Sequence, residues 1–322
     1  MNTQTAGRPA GAARKIDLRS ILPVVGLAAI IVVFSVATGG SFLNPSNLAT
    51  ILNQSFTLIL AALGASFIYA HGSLDVSLGS VCMMSCICCV HVARATGSAV
   101  LTILTAIGVC LICGVIVAVI SCKLNVMAFV ASLCVSFVCQ GLAGELVATG
   151  EIIMPDTIAT TFNQPWIKVI VLIVTVAVCY ILFEHTKIGH YNKAIGGNAE
   201  AARQSGIQVD RYKLIAYIIC SITLGISSFF LICRVSAAAT TTGSGLHMDV
   251  MLAVILGGMS IRGGPKSNIH APIIGSLITY ILTNGFTLCG VSVYWVQFLK
   301  GIIFLAVIIL VFERKHRGAL PS

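Results

Sequence analysis

Ten apolar runs, most of them long enough to cross a bilayer as a helix of roughly 17–25 residues, follow one another through this chain. They lie near residues 20–38, 47–70, 77–93, 98–121, 126–148, 166–184, 212–233, 249–261, 270–288 and 292–312. The eighth is short and the tenth carries polar residues. Charged residues make up 9% of the sequence and hydrophobic ones 57%, against about 25% charged in soluble domains. The pattern predicts an all-α fold, a polytopic transmembrane helical bundle of about ten spans, with no soluble appendage of domain size.

The net charge of +9 would suit a nucleic-acid partner if it were gathered on a face, but its distribution follows the spans instead. Arg8, Arg14, Lys15 and Arg19 precede the first run; Lys123, Lys187, Lys193, Arg203, Arg211, Lys213, Arg262, Lys266, Arg314, Lys315 and Arg317 all fall on the same side of the alternating spans. Basic residues in short loops stay cytoplasmic, so both termini and the long hydrophilic loop are expected inside. Arg94, Lys168, Arg234 and Lys300 remain for outer ends or span interiors. The first run exceeds the apolar core of a cleaved signal and no A-x-A site follows it, so it is expected to stay as a signal anchor. The expected organisation is a cytoplasmic tail over 1–19, a transmembrane domain over 20–312 with a cytoplasmic loop at 185–212, and a cytoplasmic tail over 313–322.

Thirteen cysteines sit mostly within the runs. Zinc sites want paired ligands with a second pair in reach; here the residues read as small apolar packing groups, and no metal is expected. The Gly-rich stretches Gly257-Gly258 and Gly263-Gly264 are not completed by the Lys-Ser/Thr of a phosphate-binding loop, so any ATP-driven engine must lie on another chain.

Within the hydrophilic loop, Glu200-Ala201-Ala202 is followed by Gly206, and Asn198 stands just before. Small residues on a short helix admit close approach by another protein, Glu200 offers one charge, and Gly206 can close the helix in a left-handed turn. The segment reads as a docking knob. The loop Thr149–Pro165 is acidic, without a basic side chain, and suits an external partner.

Charged groups within hydrocarbon usually face a cavity, a partner or a helix end. Asp75 and Asp249 each lie where a helix should begin, where a carboxylate either caps free N–H groups or lines a polar path. Both belong to a D-V-x-L echo, Asp75 to Leu78 and Asp249 to Leu252, each preceded by a Gly/Ser break, which suggests an internal repeat. Ser77, Gly79, Asn284 and Gln297 join the two aspartates as path candidates. Lys300 is expected to reach the outer interface beside Tyr294 and Trp295; Asn284 either bonds across helices or lines the path. His71, His91 and His247 read as interface histidines.

Four ordered stretches carry a family resemblance: Gly72 to Ser80 (GSLDVSLGS), Ala194 to Ile207 (AIGGNAEAARQSGI), Leu256 to Gly264 (LGGMSIRGG), and Asn284-Gly285 with Gly290-Val291-Ser292. Together they resemble the permease subunits of ribose-type monosaccharide ABC importers, over about residues 45–312. The resemblance departs at His71-Gly72-Ser73, where Gly-Gly is usual, and after Gly264, where Pro265-Lys266-Ser267 stands in place of small residues. It implies a bacterial inner-membrane permease, not an enzyme, that binds no cofactor itself. ATP and Mg would sit on a separate ATP-binding cassette ATPase, a second permease subunit (identical or not) would complete the path, and an extracytoplasmic sugar-binding protein would deliver substrate. Asn198, Glu200, Ala201, Ala202 and Gly206 would form the ATPase-coupling contact, and the Asp75–Gly79 segment would lie near the path. The alternative is an ion-coupled secondary transporter using Asp75 and Asp249.

Overall fold

A computed structural model describes residues 18–148, 150–260 and 262–316. Arg8, Arg14, Lys15, Thr149, Ile261, Arg317 and most of the expected tails lie outside these residues. Helices α1 (Leu18–Ala37), α2 (Pro45–Ala70), α3 (Leu78–Thr96), α4 (Ala99–Lys123) and α5 (Ala128–Val147) come first. A short strand β1 (Ile152–Ile153) and helix α6 (Asp156–Phe162) then lead to α7 (Pro165–Tyr180), which ends in a π-turn at Ile181–His185. Next come α8 (Lys187–Gly197), α9 (Ala199–Gln204), α10 (Val209–Val235), strand β2 (Ala237–Ala238), α11 (Leu246–Leu256), α12 (His270–Leu288) and α13 (Val293–His316).

Each of the ten apolar runs is helical. Among the described residues seven helices are long and apolar enough to cross a membrane, and Gly26–Ala37, Leu246–Leu256 and Val293–Ala306 are shorter apolar stretches. In hydrocarbon every backbone N–H and C=O must bond within its own segment, which a helix achieves and a loop cannot. The chain is an all-α, multi-pass membrane protein.

Helix ends follow local chemistry. Pro45 occupies the first turn of α2 and the Asn44 side chain accepts from the Ser46 N–H at 3.2 Å. Gly97, left-handed at φ 63°, closes α3, and Ser98 then caps α4. Helices α2 and α10 are the most buried spans, whereas α4 and α7 show most of their surface to the outside. Small residues let α10 approach its neighbours: a Cβ at Gly225 would stand 2.6 Å from the Cα of Ile107 on α4. Ser227 donates across to the Thr57 carbonyl of α2 at 2.7 Å. The cysteines are free and mostly buried, with the Cys113 and Cys139 sulfurs 3.7 Å apart between α4 and α5.

The segment after α5 differs from a featureless loop. β1 pairs antiparallel with β2, Ile152 opposite Ala238, and the Met154 N–H donates to the Ser236 carbonyl at 2.9 Å. The acidic loop thus has its own strand and helix, pinned to the end of α10. The eighth run is also shorter than expected: its helix covers Leu246–Leu256 instead of 249–261.

Candidate functional site

Two places carry polar chemistry: a knob at one end of the bundle and a cavity reaching inward from the other. The knob is α9. The Asn198 side chain accepts from the N–H groups of Glu200 and Ala201 at 3.0 and 3.1 Å, satisfying donors that a helix start leaves free. At the other end the Ile207 N–H bonds back to the Ala202 carbonyl at 3.1 Å, and Gly206 takes φ 83°, a left-handed geometry that L residues rarely adopt. Ala202 is buried with Ile195 and Val209, while Asn198, Glu200, Ala201 and Gly206 are exposed. Glu200 meets Arg203 at 3.4 Å, both well exposed, a contact worth little in water. All five residues singled out here in the sequence share one six-residue helix and its caps.

Behind the knob three backbones meet. A Cβ at Gly196 would stand 2.1 Å from the Ala70 carbonyl oxygen, and one at Gly263 would stand 2.3 Å from the same atom. The Gly264 N–H donates to that carbonyl at 3.0 Å. Glycines here let the end of α8, the end of α2 and the loop after α11 touch without side chains. Nothing along the chain marks these glycines for such a contact.

The break between α2 and α3 starts at this junction. Asp75 is buried and accepts from the N–H and hydroxyl of Ser77 at 2.8 and 2.6 Å. The carboxylate therefore holds the turn into α3, beside a small cleft shared with Tyr217 and Ser221. Leu78 and Cys220 line the same cleft, so the start of α3 faces α10 there. His71 was expected at an interface; it is instead buried, tilted against Tyr217 at 6.2 Å, with both ring nitrogens unpartnered among the described residues. Burial and the nearby Lys213 push its pKa down to about 3. His91 is exposed, its Nε2 lying 3.0 Å from the Leu146 carbonyl oxygen.

The two echo segments approach each other. A Cβ at Gly79 would lie 3.0 Å from the Gly243 carbonyl oxygen and 3.3 Å from His247 Nδ1. The chain from Ser236 to Gly245 runs back alongside α3 before α11 begins.

Beside this segment opens a cavity of about 490 Å³, lined among others by Thr57, Glu151, Arg234, Thr242, Asp249 and Tyr280. Of the path candidates only Asp249 reaches it. Asp75 and Ser77 line the separate cleft. Asn284 pairs with Asn47 of α2, each amide donating to the other at 2.8 and 3.0 Å, so it bonds across helices. Gln297 is exposed on α13 beside Gly245. Lys300 does not snorkel to the interface: its ammonium donates to Asp249 Oδ1 at 2.9 Å. Asp249 offers an unpaired cation a carboxylate, a stronger draw than interfacial water several residues away. Spacing could not have assembled this cavity from four helices and two loops; its one local sign is the Thr240-Thr241-Thr242-Gly243-Ser244 run. No cluster of three or more His, Cys, Asp or Glu that could hold a metal occurs among the described residues.

The comparisons with known proteins follow the same outline. The profile of the family described as branched-chain amino acid transport system / permease component matches residues 47–308. The ribose import permease protein RbsC of Escherichia coli (strain K12) is 30% identical, over 91% of this chain and 93% of that protein. Its namesake in Bacillus subtilis (strain 168) is 29% identical over 91% and 92%. The fructose import permease protein FruG of Bifidobacterium longum (strain NCC 2705) is 23% identical over 96% of each. No solved structure gives a significant match. Matched across most of its length, from α2 into α13, the chain belongs to the branched-chain amino acid transport system / permease component family.

Proposed function

We propose that this chain is the transmembrane permease subunit of an ATP-driven importer of monosaccharides, ribose or a similar sugar, in a bacterial inner membrane. The observation that carries the reading is α9: a capped helix with one buried residue, offered outward and backed by the glycine junction to α2 and the loop after α11. Asn198, Glu200, Ala201, Ala202 and Gly206 are the contact with a separate ATP-binding cassette ATPase, which binds and hydrolyses ATP with Mg. Residues 185–212 and both tails, 1–19 and 313–322, lie in the cytoplasm, and 20–312 form the permease domain. A second permease subunit completes the path, and an extracytoplasmic sugar-binding protein docks on the β1–α6 side.

The mechanism is alternating access without chemistry on the substrate. Closure of the ATPases pushes α9 as a rigid lever, the push enters the bundle at Gly196, Gly263 and Ala70, and the breaks at Asp75–Gly79 and before Asp249 rearrange. Such coupling needs contacts that differ between two states, and the Asp75 turn and the Asp249–Lys300 pair are placed to differ. Ser77 and Gly79 act at the first break. Asn284 and Gln297 bear on α12 and α13 at the margin of the path. Sugar import draws its support from relatives that are ribose and fructose permeases and from the hydroxyl-rich cavity.

The test is co-expression with candidate ATP-binding cassette ATPases, with Glu200→Lys as control. Co-purification with the wild type and its loss in the variant support the assignment. ATPase binding unchanged in Glu200→Lys, or no ATPase captured by either protein, would overturn the coupling role of α9.

A further inference from the structure

The cavity wall carries one cation that no described residue pairs with. Arg234, in the last turn of α10, lines it, and its Nε is buried without a hydrogen-bond partner among the described residues. No ion pair joins Arg234 to any described carboxylate; the pairs formed are Lys193–Glu184, Arg203–Glu200 and Lys300–Asp249. A half-buried guanidinium whose Nε is shut off from solvent and left without a carboxylate partner is costly, so its place at a polar cavity wall points to a ligand.

Three ligand chemistries could answer it: an anion, a zwitterion or a neutral polyhydroxyl. An anion would also meet Glu151 and Asp249 across the same cavity. A zwitterion needs a free buried carboxylate for its ammonium, but Asp249 is engaged by Lys300 and Glu151 is exposed at the rim. A hydroxyl both donates and accepts. Two adjacent hydroxyls match the spacing of the guanidinium fork and can in turn donate to Asp249 or to the Thr57 and Thr242 hydroxyls.

We propose that Arg234 is the specificity-determining contact of the cavity, gripping two adjacent hydroxyl oxygens of a neutral polyhydroxyl substrate. The inference rests on the importer reading for its substrate class but is tested without the ATPase.

The experiment is site-resolved labelling of the purified full-length chain by phenylglyoxal, read by mass spectrometry of the peptide carrying Arg234. Arg203, exposed on α9, serves as the internal control. D-Ribose at several times its dissociation constant should slow labelling of Arg234 about fivefold, as simple occupancy requires, and leave Arg203 unchanged. 2-Deoxy-D-ribose, lacking one adjacent hydroxyl, should protect far less. Equal labelling with and without ribose, equal protection by the deoxy sugar, or an Arg234 that never reacts would overturn the proposal. Protection by L-leucine or D-ribonate in place of ribose would do the same. An ATPase that fails to bind while ribose still protects Arg234 would remove the importer reading and leave this contact standing; protection lost while the ATPase binds would remove only the contact.

Discussion

Lys300 of α13 reaches 2.9 Å from Asp249 in the first turns of α11, joining two helices at the cavity wall. The side chains keep only 13% and 23% of their exposure, so each partner depends on the other. Deleting one charge should cost on the order of 3 kcal/mol, because the survivor stays buried and unpaired. Asp249→Asn and Lys300→Met should therefore each lower the melting temperature of the purified protein, and the double variant should recover most of the loss. Additive losses in a double-mutant cycle would show that the two side chains do not act as a pair.

The junction behind α9 should tolerate no side chain. Gly196→Val would drive a Cβ to 2.1 Å from the Ala70 carbonyl oxygen, and overpacking of this kind costs about 1–3 kcal/mol or more. Gly141 on α5 has nothing within 4 Å of its would-be Cβ, so Gly141→Ala should be neutral or slightly stabilising. Thermal unfolding of the two variants side by side checks both.

His71 gives a pH dependence with a definite sign. Its folded pKa, about 3, lies below the ordinary value near 6.5, so the unfolded chain takes up the proton first. Stability from neutral His71 is whole above about pH 6.5 and is lost as pH falls toward 3, by up to about 1.4 kcal/mol per unit. His71→Phe should flatten the melting temperature between pH 6.5 and 4.5 relative to wild type. Parallel curves would count against it.

Asn198→Ala should loosen α9 without unfolding the protein. Losing an N-cap costs about 1 kcal/mol, here confined to a helix of six residues. Amide exchange at Glu200 and Ala201 should speed several-fold while the amides of α10 keep their protection. Unchanged exchange would mean that Ala202 packing alone holds the helix.

What the sequence disclosed, and what it did not, divides by range. Span length, the Asn198 cap and the Gly206 turn are properties of neighbouring residues, so all three are legible along the chain. Asp249 and Lys300 are separated by 51 residues and Asn47 and Asn284 by 237; nothing in either neighbourhood announces the partner. Arg234 read only as a basic residue at a span end, because its cavity is assembled from Thr57, Asp249 and Tyr280 on other helices. His71 was misplaced for the same reason: Tyr217, which covers it, arrives from α10.

The shortness of α9 sets what it can contribute. Six residues at 1.5 Å of rise make a helix about 9 Å long, too short to present by itself the roughly 800 Å² per partner that a stable complex buries. On the proposed reading, adhesion to an ATPase would therefore have to come from broader surface around it. What α9 would supply is direction: a stroke applied at one point, with little grip to resist release.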